Sequence, residues 1–211
     1  HAQVNALGFY ERAGFVAEGE EFDEAGIRHR LMRTKLEAAE RAPPHPLPPP
    51  VRIEPLIADS LSGAEKCIDT LAEGAQHKLW IYSRDLDRDL LDREPFLAAL
   101  KRIALSGRGA EVRVLVQDPA EAVRDRHRLL HLAARLPSFV LLRTPILDED
   151  KQYPSAFMLN DQGGLFFRVL GSRFEGDGST HEPGRHRQLL TYFEAVWERS
   201  QQDPELRRMT I

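Results

Sequence analysis

The sequence is poor in the residues that build several kinds of site. It has a single cysteine, Cys67, in 211 residues. That excludes an internal disulfide and any multi-cysteine zinc centre, and it fits a reducing, cytoplasmic setting. It has no excess of basic charge: 29 Lys and Arg stand against 33 Asp and Glu, a net charge of −4. This argues against a strongly basic nucleic-acid binder, leaving only a local patch open. No apolar run approaches the roughly 18 residues of a membrane span. No basic-then-apolar leader opens the chain, and a membrane partner is not expected. The first residue is His1 rather than Met, so a piece of a longer protein is the expectation.

Proline is concentrated in one place. RAPPHPLPPP, residues 41–50, holds six prolines in ten residues. Prolines remove backbone donors and favour an extended, semi-rigid chain. The reading is a linker over 39–50, between a front segment 1–38 and a back domain 51–211. A proline-rich ligand for a partner groove is the alternative.

Past the linker, helical and strand patterns alternate. Ile57, Leu61, Ala64, Ile68, Leu71 and Ala75 recur at helical spacing and predict one apolar face. LWIYS (79–83), EVRVLV (111–116) and FVLLR (139–143) predict strands. AFMLND (156–161) and GGLFFRVL (163–170) predict a hairpin turning at NDQGG. EPFLAALKRIAL (94–105) predicts a helix with Phe96, Leu97, Leu100 and Ile103 inward, stopped by Gly107 and Gly109. Asp118, Pro119 and Glu121 form a helix start, and that helix is expected to run to about Leu136. A last helix, about Gly184 to Ser200, is expected to bury Leu189, Leu190, Phe193, Val196 and Trp197. Trp80 and Trp197 read as core. The order predicts an α/β layer structure whose first three strands are parallel.

Several polar groupings bear on chemistry. Arg124, Arg126, Arg128 and Arg135 lie on or before one helix, with Arg143 on the next strand and Arg173, Arg185 and Arg187 further on. Guanidinium forks suit phosphate oxygens. The candidate phosphate set is Arg126, His127, Arg128 and Arg173; the alternative is a solvated face paired with Glu121 and Asp125. His127 and His131 have a spacing that can share a metal. No third ligand accompanies them, so no metal is assigned, and His127 at a helix start could equally be a relic of ligand binding. SRDLDRDLLD (83–92) brings Asp85, Asp87, Asp89 and Asp92 among Arg84, Arg88 and the following Arg93. It lacks the glycine of a calcium loop and reads as a self-neutralising surface turn.

Residues 1–36 resemble the C-terminal end of a GCN5-related N-acetyltransferase (GNAT), of the ElaA-like branch. The likeness lies in the helix end FYERAGF, the strand FVAEGEEFDEAG and the returning strand IRHRLMRTKL. It implies an acetyl-CoA-dependent acyltransferase in the full-length parent, acting on a coenzyme A thioester and an amine acceptor. It implies Tyr10 as general acid toward the coenzyme A sulfur, because a phenol within reach helps to expel a thiolate. It implies Gln3, with Asn5 nearby, at the cofactor arm, and Glu21, Phe22 and His29 toward the acceptor. A GNAT holds the cofactor pyrophosphate on backbone amides of a glycine-containing loop upstream of the tyrosine helix. The front segment does not include that loop, so no cofactor binding and no activity is expected of this chain alone.

Residues 51–211 resemble one half of a phospholipase D-like fold. The likeness lies in LWIYSRDLDRDLL, RGAEVRVLVQDP, HRLLHLAARLPSFVLLR and AFMLNDQGGLFFRVLGSRFEG. Active members carry H-x-K-x-x-x-x-D, whose His attacks phosphorus and whose Lys grips the oxygens. Aligning the Asp with Asn160 puts Tyr153 and Ser155 at the His and Lys positions; aligning it with Asp161 puts Pro154 and Ala156 there. LGSRF (170–174) resembles the glycine-serine turn of active members, with Arg173 and Phe174 in place of a small residue and Asn. The resemblance implies a degenerate, three-layer half domain with a mixed, mostly parallel sheet, paired with a second copy. Two functions follow: the C-terminal part of a GNAT acyltransferase with a non-catalytic accessory or oligomerisation domain, or a phosphate- or nucleic-acid-binding module without catalysis.

Overall fold

Left-handed glycines turn the front segment back on itself. In the computed structural model, which describes residues 2–12, 14–24, 26–34 and 53–202, Gly14 (φ 82°) follows a short helix and Gly26 (φ 76°) reverses a hairpin. Strand β1 (Ala2–Gln3), helix α1 (Leu7–Arg12), β2 (Val16–Glu24) and β3 (Ile27–Arg33) form a small unit with sheet order β1-β3-β2. Among its residues whose side chains are described, none is buried, and Phe9 and Val16 are 64% and 70% exposed. The chain divides into two units, 1–50 and 51–211. The expected linker, 39–50, lies outside the described residues.

The second unit runs β4 (Pro55–Ala58), α2 (Leu61–Gly74), β5 (Lys78–Ser83), α3 (Arg88–Leu91), α4 (Glu94–Ala104), β6 (Glu111–Val116), α5 (Ala120–Arg124), α6 (Arg128–Arg135), β7 (Val140–Arg143), α7 (Asp148–Lys151), β8 (Ala156–Asn160), β9 (Leu165–Arg168), β10 (Gly176–Ser179) and α8 (Pro183–Glu198). Among the described residues, its seven strands form one sheet in the order β4-β10-β9-β8-β5-β6-β7. β5, β6 and β7 are parallel, as expected, in the register Ile81 to Val114 to Leu142. The other four of the six neighbouring pairs are antiparallel, so the sheet is mixed but not mostly parallel.

Alternation along the strands divides the core into two layers. Leu79, Ile81, Val112, Val114, Met158 and Phe166 face α2 through α6. Trp80, Tyr82, Leu115, Phe157 and Leu165 face the other way, onto Phe193, Val196 and Trp197 of α8. Trp80 Nε1 donates to Glu194 at 3.1 Å, which satisfies its one polar atom.

Two helix expectations are corrected. The apolar face assigned from Ile57 onward starts only at Leu61, where the Ser60 hydroxyl accepts from the Gly63 amide at 3.3 Å and caps α2. Ile57 sits instead on β4 and is 74% exposed. The helix expected from Asp118 to Leu136 is two helices. Asp118 accepts from the Ala120 amide at 3.0 Å, but α5 stops after five residues. Arg126 then takes a left-handed φ of 53°, and His127 restarts the chain as the cap of α6.

His127 is 2% exposed, and its Nδ1 accepts from the Leu129 amide at 3.2 Å. Burial pushes its pKa below the ordinary 6.5, against the pull of the Asp92 carboxylate. His186, whose Nε2 lies 2.8 Å from the Asn160 carbonyl, is lowered by burial too. In the window between these depressed values and 6.5, the unfolded chain binds protons that the folded chain does not. Stability therefore falls as pH drops through that window. The urea midpoint is expected to decline between about pH 7 and about pH 5.5, with a shallower slope in His186→Gln; an unchanged slope in that variant would contradict the assignment. Hydrogen exchange is expected to be faster for β2 and β3 than for β5 and β6, and equal protection would contradict that contrast in burial.

Candidate functional site

The topology gathers several loops at one end of the sheet. The parallel β5 and β6 end there, antiparallel β8 begins there, and β9 ends there, with Tyr82 opposite Phe157 and Ala156 opposite Arg168. The carboxyl ends of parallel strands are where open α/β sheets place ligands.

Arg168, the last residue of β9, is 4% exposed. Its guanidinium forks onto Asp87, with Nη1 3.2 Å from Oδ1 and Nη2 on Oδ2. Nη1 also donates to the Gly171 and Arg173 carbonyls at 3.1 and 2.8 Å. On the other side the Ser83 hydroxyl donates to Asp87 at 3.1 Å and accepts from the Leu86 amide at 3.1 Å. Leu86 and Asp87 are held at φ 72° and 33°, conformations that non-glycine residues rarely adopt. Burial pushes the Asp87 carboxyl above the ordinary carboxylate range although Arg168 pulls it down. Desolvation thus works against the attraction of the pair, whose contacts join the loop after β5 to the turn after β9. The run SRDLDRDLLD is therefore not wholly a surface turn, because Asp87 points inward to Arg168.

The positions that would carry phosphodiester chemistry do other work. The Tyr153 ring packs against Tyr82 and Tyr192 at centroid distances of 5.3 and 4.9 Å. Ser155 is buried and donates to the Val169 carbonyl at 2.9 Å. Asn160 accepts from the Gly164 amide at 2.9 Å and donates to the Leu71 carbonyl at 3.0 Å. Asp161 accepts from the Gln76 and His77 amides, both at 2.8 Å. In the other register stand Pro154 and Ala156. Neither register supplies an imidazole or an ammonium.

The candidate phosphate residues lie at the start of α6 and in the turn after β9. Arg128 is engaged by Asp92 at 2.7 Å and Glu94 at 3.3 Å. His127 is buried at the start of α6. Arg126 and Arg173 are exposed, with no ion pair among the described residues. Arg143 lies 4.6 Å over the Trp197 ring and donates to the Trp197 carbonyl at 2.7 Å. Among the described residues, no group of three or more His, Cys, Asp or Glu could hold a metal ion, and no helix is long and apolar enough to cross a membrane.

In the front unit Tyr10 lies in α1, half-buried, its ring edge-on to Phe9 and Phe15 at 5.4 and 5.9 Å. Gln3 pairs with His29 between β1 and β3, and Asn5 lies in the 3-10 turn Val4–Ala6. His29 stacks on Phe22 at 6.1 Å, and Glu21 pairs with Arg28 at 3.4 Å. α1 has six residues, and the described residues of this unit hold no glycine-containing loop at its start to cradle a pyrophosphate.

The pair that sequence reasoning missed is Arg168 with Asp87. The available signal was an arginine closing the apolar run LFF, since a charge at the end of a buried strand needs a partner.

Residues 1–36 match the family model of the acetyltransferase (GNAT) domain, and residues 60–209 match that of a domain of unknown function, DUF7931. No curated protein matches the chain significantly. Among solved structures, the chain is similar to TrmBL2, an archaeal chromatin protein described as showing a novel mode of DNA binding. The TM-score is 0.51 at 15% identity, covering 74% of this chain and 55% of that one. It is also similar to Nuc from Salmonella typhimurium, a phospholipase D family member, with a TM-score of 0.50 at 13% identity, covering 71% of this chain and 95% of Nuc. The chain thus spans little more than half the length of TrmBL2. It carries a GNAT segment at residues 1–36 and a phospholipase D-like fold in its second unit, and through residues 60–209 it belongs to the DUF7931 family.

Proposed function

We propose that the chain is the C-terminal part of a GNAT-family N-acyltransferase. Its phospholipase D-like unit is a non-catalytic accessory module that pairs with a second copy. The match of residues 1–36 to the acetyltransferase domain carries the first half of this reading. The second half is supported by Tyr153 and Ser155, which stand packed and hydrogen-bonded where a nucleophile and a cation would be needed. Acetyl-CoA and an amine acceptor are the substrates of the full-length parent, in a cytoplasmic setting. Tyr10 is the residue proposed to donate a proton to the departing thiolate, with Gln3 and Asn5 beside the cofactor arm. A boundary near residue 38 and a proline-rich linker over 39–50 separate the two parts.

A second reading, a phosphate- or nucleic-acid-binding module, draws on the exposed Arg126 and Arg173. It is the less supported, because Arg128, Arg143 and Arg124 are engaged within the unit. Salt-sensitive retention on heparin would favour it.

The full-length gene product is expected to transfer acetyl groups from acetyl-CoA to amines, with kcat lowered about a hundredfold by Tyr10→Phe. The chain itself is expected to leave bis(p-nitrophenyl) phosphate intact. Absence of acetyl transfer across a broad amine panel would overturn the first half, and phosphodiester turnover above buffer would overturn the second.

A further inference from the structure

The fork between Arg168 and Asp87 occupies one edge of the guanidinium and leaves another edge over. A guanidinium carries five N–H donors in one plane. Nη1 spends its two hydrogens among Asp87 Oδ1 and the Gly171 and Arg173 carbonyls, and Nη2 spends one on Asp87 Oδ2. The second Nη2 hydrogen and the Nε hydrogen remain, side by side on the same edge. Among the described residues neither meets an acceptor. Arg168 is only 4% exposed, and buried charged donors need acceptors.

Arg168 lines a cavity together with Ser83 and Asp87, which leaves about 20 Å³ for the centre of a water-sized sphere. Much of the remaining wall is apolar, including Ile68, Met158 and Phe166. The polar atoms that are both sealed and partnerless among the described residues are Arg113 Nε, His127 Nε2 and Thr144 Oγ1. Arg168 Nε is partnerless but not one of these, so it is open to a water-sized sphere.

Size and charge select the occupant. One water needs roughly 10–15 Å³ of such room. Asp87 already balances the guanidinium, so an anion would bring an unmatched charge into a desolvated place, and a cation would face Arg168. Water is neutral and can accept from both leftover N–H groups. It can also donate, because Asp87 Oδ1 and Ser83 Oγ each keep a lone pair beyond their contacts with Arg168 and the Leu86 amide.

We infer that this cavity is a hydration site for a single water molecule, which accepts from Arg168 Nε and Nη2 and donates toward Asp87 and Ser83. The water joins the free edge of the arginine on β9 to the end of β5, as a further member of the buried cluster. This goes beyond the acyltransferase reading and does not depend on it.

A high-resolution crystal structure of the chain, grown in sodium bromide, tests it. A density peak is expected within roughly 2.7–3.2 Å of both Nε and Nη2, without anomalous signal from bromine. In solution, oxygen-17 relaxation dispersion of the solvent counts long-lived internal waters. Its amplitude is expected to fall in the double variant Arg168→Met, Asp87→Asn, which removes the donors and the acceptor together. No peak at that place, or a bromide in it, overturns the inference. An amplitude unchanged in a folded double variant overturns it too, and if that variant does not fold, the crystal decides alone.

Discussion

The second unit turns on one buried ion pair. Arg168 and Asp87 come from β9 and from the loop after β5, elements 81 residues apart in sequence. The guanidinium reaches the carboxylate and two carbonyls of the following turn, so a single side chain fixes both loops at the end of the sheet. The left-handed backbone at Leu86 and Asp87 persists because these contacts, with Ser83, over-determine it. Burial raises the Asp87 carboxyl despite the arginine beside it, so the attraction to Arg168 works against a desolvation cost. A change at either residue therefore leaves a charge with nowhere to go.

That arrangement explains how a phospholipase D-like fold persists without its usual chemistry. The sheet end where a nucleophile would stand is filled by the Tyr82, Tyr153 and Tyr192 rings and by hydrogen bonds that hold the chain to itself. Asn160 and Asp161, at the third motif position, tie the β8–β9 hairpin to α2 and to the start of β5. Each of these groups has a structural partner. Beside that end lies a hollow lined by Asp85, Asp87, Asp89, Glu121 and Asp125 together with Arg88.

Much of this fold was legible in the sequence where apolar pattern decides structure. LWIYS and EVRVLV read as strands because residues on both sides find a core, and the helix from Glu94 reads from its inward Phe96, Leu100 and Ile103. β10 was not legible. Gly-Asp-Gly-Ser has no strand propensity, and it pairs because Gly178 must lie against β9, where an added Cβ would stand 2.0 Å from the Leu165 carbonyl. The break before His127 was not legible either, since Arg126 adopts a left-handed φ without a glycine or proline to announce it. At the site, the missing nucleophile and lysine could be read directly, but the pairing of Arg168 with Asp87 is a long-range contact that no local pattern encodes.

A double-mutant cycle on this pair tests the account most directly. Arg168→Met and Asp87→Asn would be made singly and together and unfolded in urea. Each single change is expected to cost about 3–5 kcal/mol. The double variant is expected to lose little more than one of them, a coupling of about 2 kcal/mol or more. Losses that simply add, or single changes below about 1 kcal/mol, would contradict it.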